Sequence, residues 1–271
     1  MLRLPDHILD SCLCQPGAPL SDPDRSIGVG PDTCRARLAG LKTWLTDQQT
    51  MLWARRKESL LVWLQGPNCA GKDGTIHNVF STFSPQGMQV HNFRQPTDAE
   101  RAEGFLARYR RALPGPGGVV VFNRTPYEAL ASDLFEGFCK PADIPPRVTE
   151  LAAFEDELRA RGVRLLKLYL HISHAEQKAR LRKRLTEPHR HWKLQPADLE
   201  SHRQFNRRQA HWNWILGATH RPESPWYVIP SNHPWQRDMI VSSLVARELH
   251  HLHMDWPQAP LPFSLEELEL A

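Results

Sequence analysis

No stretch of the 271-residue sequence approaches the roughly 18–20 apolar residues of a membrane-spanning helix, so a membrane partner is not expected. The opening Met1-Leu2-Arg3-Leu4-Pro5-Asp6-His7 lacks the charged-then-apolar layout of a secretory signal. Cysteine is scarce and odd in number. Of the five, only Cys12 and Cys14 lie close together, which excludes a disulfide framework and a metal-ligand spacing. A reducing cytoplasm is the expected compartment. Internal repeats and low-complexity tracts are missing too, and the net charge of +4 is mild.

What the chain does have is a 41% apolar fraction, enough for a sizeable core, and one stretch of unusual chemistry. The apolar run Leu60-Leu61-Val62-Trp63-Leu64 leads into Gly66-Pro67-Asn68-Cys69-Ala70-Gly71-Lys72-Asp73-Gly74-Thr75. A buried strand, a loop bracketed by Gly66 and Gly71, and a lysine opening a helix make a phosphate cradle. Backbone N–H groups of such a loop point at phosphate oxygens, and Lys72 adds a mobile point charge at a helix N-terminus. The full pattern is G-x-x-x-x-G-K-[ST]. Asp73 stands where its Ser or Thr would meet magnesium, leaving Thr75 as a stand-in hydroxyl. A glycine-lysine loop alone also suits an ordinary surface turn; the preceding strand and the apolar Ile76, Val79, Phe80 and Phe83 afterwards favour the cradle.

Charge is concentrated as well. Between His171 and Trp214 stand ten basic residues, among them Arg180, Arg184 and Lys193, against Glu176, Glu187, Asp198 and Glu200, a local excess of six. A charge run is as often a solvated helix face, but beside a phosphate loop it reads as a polyanion site.

Along the chain, residues 1–32 are rich in Pro, Gly and Asp and read as an extended arm. Apolar spacing predicts a helix over 34–57, then strands at 60–64, 88–93, 119–122, 164–171 and 226–229. Helical patterns fall near 72–83, 97–113, 126–138, 146–161 and 175–216. Strands separated by helices, several of them wholly apolar, argue an α/β fold, a doubly wound parallel sheet of about five strands. Ligands of such sheets bind at the carboxyl ends of the strands. Those ends carry Lys72, Arg94 and Asn123-Arg124, so three of four such edges deliver Lys or Arg to one rim. The domain is expected over 33–255, with a lid about 174–216 and a Pro-rich tail over 256–271.

From about Leu41 to Leu252 the sequence resembles the polyphosphate kinase 2 family, in its branch acting on nucleoside mono- and diphosphates. The carrying segments are Leu64-Gln65-Gly66 through Thr75-Ile76, Ser84-Pro85-Gln86-Gly87, Phe105-Leu106-Ala107-Arg108-Tyr109 with Leu113-Pro114, and Phe122-Asn123-Arg124-Thr125-Pro126-Tyr127-Glu128. His171-Ile172-Ser173, Glu176-Gln177, the run from Arg180 to Leu185, Pro188, Trp192-Lys193 and Pro225-Trp226-Tyr227-Val228-Ile229-Pro230 complete the set. The resemblance implies a P-loop kinase-like fold with a helical lid and magnesium-dependent phosphoryl transfer between inorganic polyphosphate and a nucleotide. It implies Lys72 and Arg124, with Asn68 and Asp73, at the reacting centre. Gly66, Ala70, Gly71, Gly74, Thr75 and Asn123 would hold phosphates or nucleotide, and Arg94, Arg108, Arg180, Arg184 and Lys193 the polyphosphate. A homo-oligomer, dimer or tetramer, and no nucleic-acid partner are expected.

The departures from that resemblance concern acids. Asn68 stands where the family carries aspartate, Phe205-Asn206 where it carries Trp-Asp, and Ser231-Asn232 where it carries Ala-Asp. Asn123 replaces the acid after the third strand, as is common in this branch. An amide has the shape of a carboxylate without its charge, so magnesium affinity should drop. Asp73 is the acid left in the loop, and Glu128 and Asp133 follow the third strand. Three readings stay open: an active polyphosphate-dependent nucleotide kinase, a binding module with weakened catalysis, and a P-loop kinase using ATP as donor. If magnesium handling is the deficit, Asn68→Asp should raise turnover.

Overall fold

The computed structural model describes residues 2–258 and 260–271; residues 1 and 259, in the arm and the tail, lie outside it. The chain runs α1 (Asp6–Asp10), α2 (Pro31–Arg55), β1 (Ser59–Gln65), α3 (Lys72–Phe80), β2 (Met88–Asn92), α4 (Asp98–Ala102), α5 (Ala107–Arg110) and β3 (Val119–Asn123). It continues with α6 (Ser132–Phe135), α7 (Ile144–Ala160), β4 (Val163–His171), α8 (His174–Thr186), α9 (Pro196–Arg203), α10 (Phe205–Ala218), β5 (Trp226–Pro230), α11 (Pro234–His250) and α12 (Leu265–Glu269).

The five strands form one all-parallel sheet in the order β2-β3-β1-β4-β5, with the apolar runs β1 and β3 inside it and the largely exposed β2 at its edge. Side chains alternate between its two faces. Leu60, Val62, Leu64, Val119, Val121, Leu166, Leu168 and Leu170 meet α2, α3 and α11 on one side. Leu61, Trp63, Val120, Phe122, Tyr169, Trp226 and Val228 meet α5, α7 and α10 on the other. Trp63 stacks between Phe122 and Phe154, and all three rings are fully buried.

The helices are more broken than the apolar periodicity suggests. The pattern near 97–113 splits into α4, closed at its start by a Thr97–Glu100 capping box, and α5 beyond Gly104. The pattern near 126–138 becomes a 3-10 turn at Pro126–Ala129 followed by α6. The long stretch 175–216 becomes α8, a 3-10 turn at Pro188–Lys193, α9 and α10. Pro188 and Pro196 each open a new segment, since a ring without an N–H is tolerated at a first turn but not inside a helix.

The arm packs on the domain. Leu4 and Leu9 are fully buried, Leu13 bridges Tyr227 antiparallel, and Cys12 and Cys14 exchange backbone hydrogen bonds with Val228 and Trp226 at 2.7 and 2.8 Å. That covers the outer edge of β5, which would otherwise offer unpaired backbone groups.

Candidate functional site

The segment after β1 bends sharply and cannot carry ordinary side chains at its two glycines. Gly66 has φ +149°, and a Cβ there would lie 2.6 Å from the Leu170 carbonyl oxygen. Gly71 has φ +101°, and its Cβ would lie 2.0 Å from Nη1 of Arg237. Arg237 is buried, pairs with Asp238 at 2.7 Å, and Asp238 in turn accepts from Asn78 of α3 at 2.6 Å. The back of the loop is therefore set by a buried guanidinium. Sequence reasoning missed Arg237, because nothing local in α11 marks it.

Lys72 opens α3 and folds back over its own loop, donating to the carbonyls of Gly66 at 2.8 Å and Pro67 at 3.2 Å. Burial first, and the Arg124 cation second, pull its ammonium down to about 8. Arg124 follows β3 with φ 73°, an uncommon left-handed backbone for a side chain of this size, held by its N–H on Leu64 O at 3.0 Å. Between them, Asn123 donates to Asp73 Oδ1 and to Asn92 Oδ1, both at 2.8 Å, joining α3, β3 and β2. From the lid, Lys193 Nζ stands 3.9 Å from Asp73 Oδ2. Lys72, Asp73, Asn123, Arg124 and Lys193 thus come together at the carboxyl end of β1 and β3. Cys69 and Ala70, buried, complete the loop's inner wall.

Other sequence candidates have different engagements. Thr75 is fully buried and its hydroxyl has no hydrogen-bond partner, so it faces the core side of α3. Gly74 packs beside Arg237, whose Nη2 would sit 3.4 Å from a Cβ placed there. Arg108 lies under Phe93 and Tyr109, pairs with Glu100 at 3.4 Å and donates to Arg94 O at 2.7 Å. It supports the backbone of Arg94 beyond β2. Arg180 gives its donors to Glu176 at 2.7 Å, Cys69 O at 2.8 Å, Ser231 O at 2.7 Å and Asn232 O at 2.9 Å. That guanidinium clamps the loop to the end of β5. Asp133 pairs with Arg147 at 3.0 Å, and Glu128 accepts from Gln65 at 2.8 Å and from Ser132. Asp73 is the carboxylate of the loop left largely exposed, at 65% of its side chain.

Asn68 holds the lid. Its side chain donates to Asp198 Oδ1 of α9 at 2.7 Å, its carbonyl accepts from Gln177 of α8 at 3.0 Å, and Arg184 stands 3.9 Å from Asp198 Oδ2. The sequence counts Asp198 only as an acid diluting a basic run. Its one local signal is its place three residues after Gln195, where it accepts from the Gln195 N–H.

Comparison with known proteins gives the site a family. The family described as "Polyphosphate kinase 2 (PPK2)" matches residues 30–257. An AMP/ADP-polyphosphate phosphotransferase of Meiothermus ruber is 35% identical over 239 residues, 88% of this chain and 90% of that protein. An ADP-polyphosphate phosphotransferase of Rhodopseudomonas palustris is 33% identical over 79% of this chain and 78% of its own length. The crystal structure of Polyphosphate Kinase 2 from Arthrobacter aurescens TC1 superposes with a TM-score of 0.92 at 30% identity, covering 97% of this chain and 96% of that one. A five-stranded parallel sheet of the P-loop kinase-like kind, a glycine-bracketed loop and a basic lid, together with these matches, show that the chain belongs to the polyphosphate kinase 2 family.

Proposed function

We propose that this chain transfers a phosphoryl group between inorganic polyphosphate and a nucleotide, AMP or ADP, with magnesium. The observation that carries the reading is the meeting of Lys72, Arg124, Asp73 and Asn123 at one strand edge, with Lys193 of the lid reaching Asp73.

The attacking group is a phosphate oxygen of the nucleotide, already an anion, so the site needs no strong general base. In the direction of nucleotide synthesis, the terminal P–O–P bridge of polyphosphate breaks as a new bridge forms to the nucleotide. The shortened polyphosphate leaves with the bridging oxygen. Alignment and neutralisation of charge make up most of such catalysis. Lys72 turns from its two loop carbonyls to the incoming phosphate, and the phosphate's charge restores the proton affinity that burial reduces. Arg124 forks two oxygens from the β3 side. Arg94, its backbone supported by Arg108, and Lys193 line the path of the polyanion.

The donors present suit magnesium. No cluster of three or more His, Cys, Asp or Glu fit to hold a metal occurs among the described residues. Magnesium, however, is commonly held by one or two carboxylates, with waters and substrate phosphates filling the rest. Asp73 supplies the carboxylate, with the amides of Asn92 and Asn123 beside it. Once bound, the ion would neutralise negative charge on the reacting phosphates.

The test is direct. Purified protein given polyphosphate, magnesium and AMP or ADP should form ATP, read by luminescence, and Lys72→Ala should lower turnover roughly a thousandfold or more. No ATP from the wild type, with polyphosphate still bound and released by Lys72→Ala, would overturn transfer in favour of a binding module.

A further inference from the structure

Asp198 is a buried carboxylate on a lid that is predominantly basic and largely exposed. Its two oxygens are divided between two jobs. Oδ2 accepts from the Gln195 N–H at 3.1 Å and caps its own helix; Oδ1 leaves the lid and accepts from Asn68 Nδ2 of the phosphate loop at 2.7 Å. The same Asn68 is gripped from the other side, where Gln177 of α8 donates to its carbonyl at 3.0 Å while accepting from His202 of α9 across 2.7 Å. One loop residue thus takes a contact from each of the two lid helices. The polarity of the pair is fixed: an ionised Asp198 needs a donor opposite it, which the amide at position 68 provides and a carboxylate there would not. Two carboxylates at that separation would repel.

We propose that Asp198 is a positioning residue for phosphoryl transfer, a latch that seats α9 on the phosphate loop through Asn68 and so brings Arg184 and Lys193 over the loop. The kinetic part of this inference rests on the proposed function; the conformational part does not. Asn68 is accordingly a hinge-side anchor of the lid, not merely an aspartate lacking its charge.

The test exchanges the two partners. Asn68→Asp sets two carboxylates against each other and should release α9. Backbone amides of 198–203 should then exchange with deuterium at least tenfold faster in the protein without substrate. The KM for polyphosphate should rise about tenfold, with a smaller change in kcat. Asn68→Asp with Asp198→Asn rebuilds the pair in reverse. In that double variant the amide now on α9 donates to the carboxylate now on the loop and keeps its oxygen for the Gln195 N–H. Exchange and KM should therefore return to within about threefold of wild type. Asn68→Asp turning over as fast as wild type or faster, with slow exchange, would overturn the latch and support the magnesium-deficit account. A double variant no better than Asn68→Asp would overturn it as well. Were the wild type inactive, the proposed function would fail, and the exchange of 198–203 in the same three proteins would still decide the latch.

Discussion

The sheet and the lid meet at one loop, but they hold charge in opposite ways. Beneath the site, Lys167 of β4 is fully buried. Its Nζ reaches Glu155 of α7 at 2.8 Å and the Thr219 carbonyl at 3.2 Å, against the faces of Tyr127 and Trp226. Glu155 also accepts from Tyr127 at 2.6 Å and from Ser224 at 2.5 Å. The charges of this pair are answered wholly inside the protein. On the lid, Lys178, Arg182, Lys183, Arg203 and Arg207 are exposed, and Trp192 shows 77% of its surface. The buried charges fix where Tyr127, three residues past Arg124, stands; the exposed ones face solvent, Lys183 and Arg203 only in exposed ion pairs with Glu187 and Glu200 at 3.6 Å, where an anion from outside can reach them. Position and counter-charge are therefore supplied by different regions.

The largest way to break this contrast is to unpair the buried network. Glu155→Gln leaves Lys167 without its counter-charge, and removal of one partner of a buried pair costs about 3–5 kcal/mol. Urea unfolding should show that loss, with the ATP yield per folded molecule at low temperature little changed.

On the other side, Lys178→Ala with Arg182→Ala should leave unfolding within about 0.5 kcal/mol of wild type, as exposed substitutions generally do. Polyphosphate affinity should fall several-fold, more at low salt than at high, because an exposed charge acts through a screened field. A loss no larger at low salt than at high would show that these side chains do not act on the polyanion through their charge.

How much of this was legible in the sequence follows the same division. The central strands could be read because β1 and β3 are apolar runs, β1 buried at every position, whereas β2, Met-Gln-Val-His-Asn, is largely exposed. The loop after β1 could be read because its glycines and lysine are close in sequence. The arginines were harder. Arg180 and Arg108 read as polyanion ligands by their charge, yet the carbonyls they serve lie 111 and 14 residues away, on Cys69 and Arg94. Asn68 and Asp198 are 130 residues apart, so a pair that reads as a missing acid and a stray acid is one contact. Arg237 answers to Gly71 across the same kind of distance. Composition reports how much charge a segment carries; only packing decides whether that charge is already taken.

Lys72 belongs to both categories, and pH separates them. Its ammonium is pulled down from 10.5 to about 8 by burial and by Arg124, while in the unfolded chain it would stay near 10.5. Between these values the unfolded chain binds more protons than the folded one, so this group's contribution to stability improves as pH rises from 8 toward 10.5. Polyphosphate binding runs the other way, because the anion needs the protonated form. Affinity should hold up to pH 8 and then fall toward about tenfold per unit, the limit for one proton. Lys72→Arg keeps its charge throughout this range, so its affinity, even if lower at neutrality, should stay flat where the wild type declines. Titrating polyphosphate binding of both proteins between about pH 7 and 9.5 checks this, and parallel declines would show that the decisive proton sits elsewhere in the site.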